Sequence, residues 1–404
     1  MSSIQFVVVA LCALLCIVLV PACLVLCIEC FAAAFLRRDV VAEGDGESPE
    51  RTAHAVVLIP AHNEELSIGG TLASILPQLA ATQRVLVVAD NCTDETAAIA
   101  RALGADVVER HNVELRGKGF ALARGIDELR SDPPEVLIIV DADTTVQAGT
   151  IAALASEVLR TGQPSQAINL LSPPPLPTSR DWISTFAFRV RNLVRPMGQA
   201  VLGVPCQLMG NGMAVPWAAV AGMDLASANI VEDMQLGIDL TVAGFTPRLN
   251  LAGSVTGMFP SSATAATTQR RRWEHGHLLT ILTQVPRILW ASLSQRRPGL
   301  LWFALDTAVP PLAFLVSLWG LLTMLTLTGG LFAQVWWPAF VSLALAVLLM
   351  VSVGTAWFRF ATDIPGTAIL MVPVYILRKL PMYAAFFIQR QHAWIRTERE
   401  PVAE

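Results

Sequence analysis

Glu135-Val-Leu-Ile-Ile-Val-Asp-Ala-Asp143 is the stretch on which the fold turns. The apolar residues Val136 to Val140 run without a break into two aspartates, Asp141 and Asp143. A half-exposed strand alternates apolar and polar side chains, whereas a short unbroken apolar run suits a strand covered on both faces. Such strands belong to parallel sheets sandwiched between helices.

The same grammar recurs upstream. Ala55 to Ile59 is a β-branched run that enters I-P-A-H-N-E-E (Ile59 to Glu65), and Arg84 to Ala89 enters A-D-N-C-T-D-E-T. Asp106 to Glu109 reads as another strand. Between them Leu66 to Ala80, Thr93 to Leu103 and Gly119 to Leu129 read as helices. The alternation predicts an α/β, Rossmann-type domain. Ligands in such folds gather beyond the carboxyl ends of the strands. Polar residues follow Ile59, Ala89 and Val140 at those places.

The rest of the chain is far more apolar. Of 404 residues, 54% are hydrophobic, above the range of soluble domains, and the excess lies at the two ends. Ile4 to Ile28 is an apolar run of about 25 residues, long enough to cross a bilayer and lacking the basic start of a signal peptide. Leu300 to Leu327 and Leu331 to Phe358 read as two more spans, with Gly329 and Gly330 at the turn and Trp336 and Trp337 at the outer interface. Arg37, Arg38, Arg296, Arg297 and Arg359 flank the spans on one side, which predicts a cytoplasmic polar middle. Ile364 to Gln389 is apolar but carries Pro373, Arg378, Lys379 and Pro381, and reads as re-entrant or interfacial, with a further span as the alternative. Trp182 to Met197 and Leu278 to Leu293 are amphipathic, suited to a core or to the lipid interface. Val41 to Thr52 reads as a linker. Asp306 lies near the end of a span, at a functional or a hydrated interfacial position. A net charge of −4 speaks against a nucleic-acid partner, and no Cys/His spacing suggests zinc.

Three clusters carry chemistry. Asp141 and Asp143, two residues apart after a buried strand, can converge on one hard cation, Mg2+ or Mn2+. A solvated turn is the alternative. Asp90 can accept from a nucleobase N–H, or Asp90, Asn91 or Thr93 can cap the next helix. Glu232 and Asp233 at a helix start suit the helix dipole, or else Asp233 serves as a general base for an acceptor hydroxyl. Arg270, Arg271, Arg272 and Lys118 can supply positive charge to a diphosphate, and Trp273 a flat face for a sugar ring. For Arg270 and Arg271 an anionic lipid is an equal alternative.

In this order the motifs resemble the membrane-bound family 2 glycosyltransferases, a group that includes cellulose, hyaluronan and poly-N-acetylglucosamine synthases and ceramide glucosyltransferases. The resemblance covers roughly Ala55 to Leu293 and the flanking membrane architecture. It implies a GT-A-like domain and inverting transfer from a nucleotide-sugar donor, UDP-linked, to a polysaccharide or lipid-linked acceptor at a bacterial inner membrane. It places Ala61, Glu64, Asp90, Lys118 and Asp141 on the nucleotide, and Asp141 and Asp143 on the metal. Asp233, with Glu232, is the catalytic pair, and Gln269, Arg272 and Trp273 (Q-x-x-R-W) line the diphosphate and acceptor end. Where the family has D-D-G, Ala89 replaces the first Asp; His62 stands where Tyr is common, and G-N-G-M (Gly210 to Met213) occupies the variable acceptor-loop region. The expected domains are 1–36 (first span), 53–270 (catalytic), 271–298 (Q-x-x-R-W and interfacial helix), 299–358 (two spans) and 359–404. Single transfer to a glycolipid acceptor and a non-catalytic assembly partner are the alternatives. A homo-oligomer or export partner and membrane lipids complete the expected associations.

Overall fold

Side-chain alternation along the central strands accounts for two cores at once. In the computed structural model, which describes residues 3–35, 53–226, 231–260 and 262–388, β1 (Ala55–Ala61), β2 (Gln83–Asp90) and β4 (Val136–Ile139) are parallel neighbours. Val57, Ile59, Val85, Val87 and Ile138 pack on one face; Val56, Leu58, Leu86, Val88, Leu137 and Ile139 pack on the other. Both faces are dry, which is why these strands read as continuous apolar runs rather than as alternating ones.

The eight-stranded sheet has the order β3-β2-β1-β4-β7-β6-β8-β5. Here β3 is Asp106–Arg110, β5 Thr145–Val146, β6 Ser165–Ser172, β7 Met213–Pro216 and β8 Arg248–Met258. The first four strands are parallel; β7 runs antiparallel to β4 and to β6. The register pairs Ala61 with Ala89, and Leu58 with Ile139, so the carboxyl ends of β1, β2 and β4 fall along one edge. Chain order reverses at β1, between β2 and β4, the switch point at which α/β sheets open a ligand crevice.

Helices cover the sheet: α2 (Ile68–Ile75), α3 (Thr96–Ala102), α4 (Lys118–Leu129) and α5 (Thr150–Thr161). Gly125 lets α4 lie close, since a Cβ there would come 2.4 Å from Leu58 Cδ1. The four strand and three helix readings upstream of Asp141 match elements of the structure in type, with shifted ends; the first helix starts at Ile68 rather than Leu66.

The described residues divide into two compact units. One holds 53–175, 205–226, 231–260 and 262–276; the other holds 3–35, 176–204 and 277–388. The catalytic stretch expected as a continuous 53–270 is therefore interrupted: Leu176–Val204 groups with the apolar helices. That segment forms α6 (Ser179–Arg189), a short π-helix (Val190–Val194) and α7 (Arg195–Leu202), and the short α8 (Trp217–Val220) follows β7. Within Leu176–Val204 the apolar positions Ile183, Phe186, Val190 and Val194 are buried in the core of the helical unit. Their helical spacing belongs to a packed helix stripe, which explains the ambiguity of the sequence pattern.

The helical unit also holds α1 (Ser3–Ala34), α11 (Pro298–Thr307), α12 (Leu312–Ala333), α13 (Trp337–Phe360) and α14 (Val372–Ile388). Four segments are long and apolar enough to cross a membrane: Gln5–Ala34, Leu312–Phe332, Trp337–Phe360 and Gly366–Ile388. The expected span Leu300 to Leu327 is corrected. Pro310 and Pro311 break it into two helices, because proline removes the N–H that a continuing helix needs. The expected turn at Gly329 and Gly330 is corrected as well. The helix runs through both to Ala333, and Gln334, with φ +54, ends it. Gly330 instead makes room for Trp336, whose ring would lie 2.6 Å from a Cβ. Trp319 Nε1 donates to Ser342 O at 3.0 Å and Thr323 meets Ser342 at 2.8 Å, polar ties of the kind that join apolar helices. Gly366–Ile388 has the length and composition of a span despite Arg378, Lys379 and Pro381. Arg37, Arg38, the linker Val41 to Thr52 and the tail beyond 388 lie outside the described residues.

Asp306 is buried rather than at an exposed interface. It is 3% exposed and ion-paired with Arg195. Arg195 Nε also donates to Glu29 Oε2 at 2.7 Å, and Gln199 Nε2 bridges Glu29 Oε1 (2.9 Å) and Asp306 Oδ1 (2.7 Å). Gly198 allows this closure, since a Cβ there would strike the Glu29 backbone at 2.0 Å.

Candidate active site

The carboxyl end of β4 delivers the D-A-D turn, and two side chains, Thr71 and Asn211, hold it still. Thr71 Oγ1 donates to Ala142 O at 2.8 Å and accepts from Thr144 N at 3.1 Å. Asn211 Oδ1 accepts from Asp141 N at 3.1 Å, and Asn211 Nδ2 donates to Thr144 Oγ1 at 2.9 Å. Asp141 and Asp143 are both half-buried at this turn.

Lys118 starts α4 directly after Gly117, whose φ of +135 only glycine adopts readily. Its ammonium pairs with Asp141 and donates to Gly210 O at 2.6 Å. Gly210 has φ +78, and a Cβ on it would lie 2.9 Å from Asp233 Oδ2. Glu232 and Asp233 open α9 (Glu232–Ala243), and Asp233 Oδ1 accepts from Met234 N at 2.8 Å. Asp141, Lys118, Gly210 and Asp233, far apart in the chain, thus form one cluster. Burial pushes the Glu232 carboxyl up to about 7, with Lys118 opposing and the charges of Asp233 and Asp141 adding to the rise. Burial also works to lower the Lys118 pKa, but the carboxylates of Asp141, Glu232 and Asp233 outweigh it and the net shift is upward.

The Q-x-x-R-W motif lies on α10 (Ala263–Ser294), a single helix that also contains the stretch Leu278 to Leu293 and Pro286. Gly276 packs on Val231, immediately before Glu232: a Cβ added at Gly276 would lie 2.6 Å from Val231 Cγ1. Gln269, Arg272, Trp273 and Gly276 recur every three or four residues and share a helix face. The motif therefore shares the helix face that carries Gly276. Arg270 is buried, and Gln269 Oε1 and Arg271 Nε are buried without a hydrogen bond.

A second group lies at the ends of β1 and β2. Asn63 and Asn91 adopt left-handed backbones, φ +54 and +53, and the two loops interlock: Thr93 N donates to Asn63 Oδ1 (2.7 Å) and Glu64 N to Thr96 Oγ1 (2.7 Å). Ala61 is buried at the end of β1, and Glu64 Oε2 accepts from Ser67 Oγ at 2.7 Å. Asp90 is buried and ion-paired with Arg110 at 2.5 Å; Arg110 also donates to Leu115 O and stacks over Phe120. Asp94, rather than Asp90, Asn91 or Thr93, accepts from the Thr96 N–H at the start of α3. Sequence reasoning missed Arg110 and Asn211, because their partners Asp90 and Asp141 lie 20 and 70 positions away in the chain. The G-N-G spacing around Asn211 was the one available signal.

Among the described residues no group of three or more His, Cys, Asp or Glu is arranged to hold a metal ion. Asp141 and Asp143 nevertheless suit Mg2+ or Mn2+, hard ions commonly held by one or two carboxylates with phosphate oxygens and water completing the shell. The oxygen donors and half-open turn fit such an ion shared with a substrate.

Residues 56–167 match the family described as Glycosyl transferase family 2, and residues 136–358, more than half of the chain, match Glycosyl transferase family group 2. The chain belongs to this family, and its α/β unit is the GT-A-like domain expected of it. A 4,4'-diaponeurosporenoate glycosyltransferase of Staphylococcus aureus (strain MRSA252) is 29% identical over 194 residues, 45% of this chain and 49% of that protein. The protein of the same name in strain USA300 is 39% identical over 92 residues, 22% of this chain and 24% of that one. The chain thus spans about half, or less, of the length of these curated relatives. Among solved structures, mannosyltransferase PcManGT from Pyrobaculum calidifontis, in complex with GDP-Man and Mn2+, has 18% identity and a TM-score of 0.46, covering 84% of this chain and 99% of that one. Glucosyl-3-phosphoglycerate synthase from Mycobacterium tuberculosis has 22% identity and a TM-score of 0.35, covering 54% and 74%.

Proposed function

We propose that the protein transfers a sugar, with inversion, from a nucleotide-sugar donor (UDP-linked) to a lipid-soluble acceptor at the cytoplasmic face of a bacterial inner membrane. One observation carries this reading: Asp141, Glu232 and Asp233 converge on Lys118 at the carboxyl edge of the parallel strands. In the proposed reaction Asp233 removes the acceptor hydroxyl proton as that oxygen bonds to the anomeric carbon. The bond from that carbon to the diphosphate breaks, and its electron pair leaves with the diphosphate oxygen. Attack opposite the leaving group inverts the centre without a covalent sugar-enzyme intermediate. Mg2+ or Mn2+ bound by Asp143 and Asp141 would neutralise charge on the diphosphate. Lys118 and Arg272 add positive charge there, and Trp273 and Gln269 line the acceptor end. Asp90, Ala61 and Glu64 hold the nucleotide.

Single transfer is favoured over polymerisation by the Staphylococcus relatives, whose name gives 4,4'-diaponeurosporenoate, not a polymer, as what is glycosylated. The apolar helices suit an acceptor delivered by the membrane. The test supplies purified protein with UDP-, GDP- and dTDP-sugars, Mn2+ and lipid or saccharide acceptors. One lipid-soluble product is expected, and Asp233→Asn should lower its rate about a thousandfold. A product ladder would replace single transfer by polymerisation. No turnover of any donor, or full activity of Asp233→Asn, would overturn the enzyme reading in favour of an assembly partner.

A further inference from the structure

Gly210-Asn211-Gly212 meets Lys118, Asp233 and the D-A-D turn. Asn211, 5% exposed, sits between two residues with left-handed backbones, φ +78 at Gly210 and +63 at Gly212. A Cβ at Gly212 would meet Val255 at 2.8 Å and one at Gly210 would meet Asp233, so the loop packs tightly at both glycines and leaves no room for larger residues. Gln166, fully buried, clamps it from behind: its Nε2 donates to Asn211 O at 2.8 Å and its Oε1 accepts from Met209 N at 2.9 Å. The Asn211 side chain then spans the D-A-D turn, accepting from the N–H of Asp141 and donating to the hydroxyl of Thr144. One residue earlier, the Gly210 carbonyl receives Lys118 while its Cα faces Asp233.

We propose that Asn211 is a positioning residue that couples the two ends of the site: its side chain sets the carboxylates of the D-A-D turn, while the backbone it anchors sets Lys118 and Asp233. Nothing in the residue's chemistry lets it react. Its amide satisfies one donor and one acceptor that a turn of this shape leaves open. A loop that shifts by a fraction of an ångström moves the carboxylates relative to Asp233, and near-attack geometry tolerates little of that. The inference rests on the transferase reading above, in which Asp141 and Asp143 serve the donor and Asp233 the acceptor.

The test uses the full-length protein in detergent or nanodiscs, with Mn2+ plus UDP as the binding probe followed by electron paramagnetic resonance. Asn211→Ala should weaken Mn2+ binding in the presence of UDP about tenfold, as loss of a residue supporting a metal carboxylate commonly does. It should cut transfer about a hundredfold. Hydrolysis of the donor, which needs no aligned acceptor, should fall less, so the ratio of hydrolysis to transfer rises. A role in stability alone would lower the Tm and leave that ratio and the Mn2+ affinity unchanged, and this outcome overturns the inference. If Asn211→Ala does not fold, Thr144→Val removes only the amide donor's partner and should move both readouts in the same direction by less; no movement in either overturns the inference. Wild-type protein that turns over no donor defeats the transferase reading by itself, and the Mn2+ and UDP titration still decides whether Asn211 sets the turn.

Discussion

Two clusters in this protein are built from the same parts, one cation between carboxylates, and they differ in how closed they are. In the helical unit Arg195 lies between Glu29 and Asp306, with side-chain exposures of 9%, 0% and 2%. Its guanidinium is bidentate across two carboxylates and Gln199 donates to both, so the cluster is closed. In the α/β unit Lys118 faces Asp141, Glu232 and Asp233, and Asp141 remains 36% exposed. Ammonium is a compact charge on a flexible stem and gives up a partner readily, whereas a forked guanidinium fixes geometry. A closed cluster suits assembly; an open one with excess carboxylate suits a passing cation or substrate.

The sharpest way to break the comparison is to remove each cation. Arg195→Met should destabilise the helical unit by about 3–5 kcal/mol, because it strands two buried carboxylates. Thermal unfolding in detergent measures this, and adding Glu29→Gln with Asp306→Asn should restore most of the loss. Lys118→Met should do the reverse: transfer falls about a hundredfold, as when a preorganised charge is lost from an active site, with a Tm change smaller than that of Arg195→Met. Equal Tm losses in the two variants would erase the distinction.

A smaller effect sharpens it. Glu232 titrates in the folded protein near 7, above its ordinary 4.5. A raised carboxyl pKa means that the fold binds a proton the unfolded chain releases, so this contribution to stability is complete below about 4.5 and is lost as pH rises through about 7. Glu232→Gln should therefore raise the Tm at pH 8 by about 3 °C, with the gain shrinking toward pH 5. A gain of the same size at both pH values would exclude Glu232 as the titrating group.

Much of the α/β unit was legible in advance. Val136 to Val140, Arg84 to Ala89 and Ala55 to Ile59 announced buried parallel strands, since being covered on both faces removes polar alternation. Polar residues at strand ends marked where the carboxyl edge of the sheet falls, for the same topological reason. The helical half was less legible. Apolar composition reports burial or lipid without reporting where a helix breaks, so Pro310 and Pro311 were overridden by the hydropathy around them. Trp182 to Met197 carried a helix stripe but no sign of the partners it packs on. Asp306 read equally as a functional or a hydrated interfacial position because its partners, Glu29 and Arg195, lie 277 and 111 residues away.

The sequence by itself determined the parallel sheet, the apolar spans and the residue types at the strand ends, because periodicity and hydropathy are local properties of a chain. Only the tertiary structure decided that Lys118 meets Asp141, that Gly210 brings Asp233 beside them, and that Asn211 braces the turn. Those are contacts across 23 to 92 residues, set by how strands and loops close in space rather than by any neighbour in the chain.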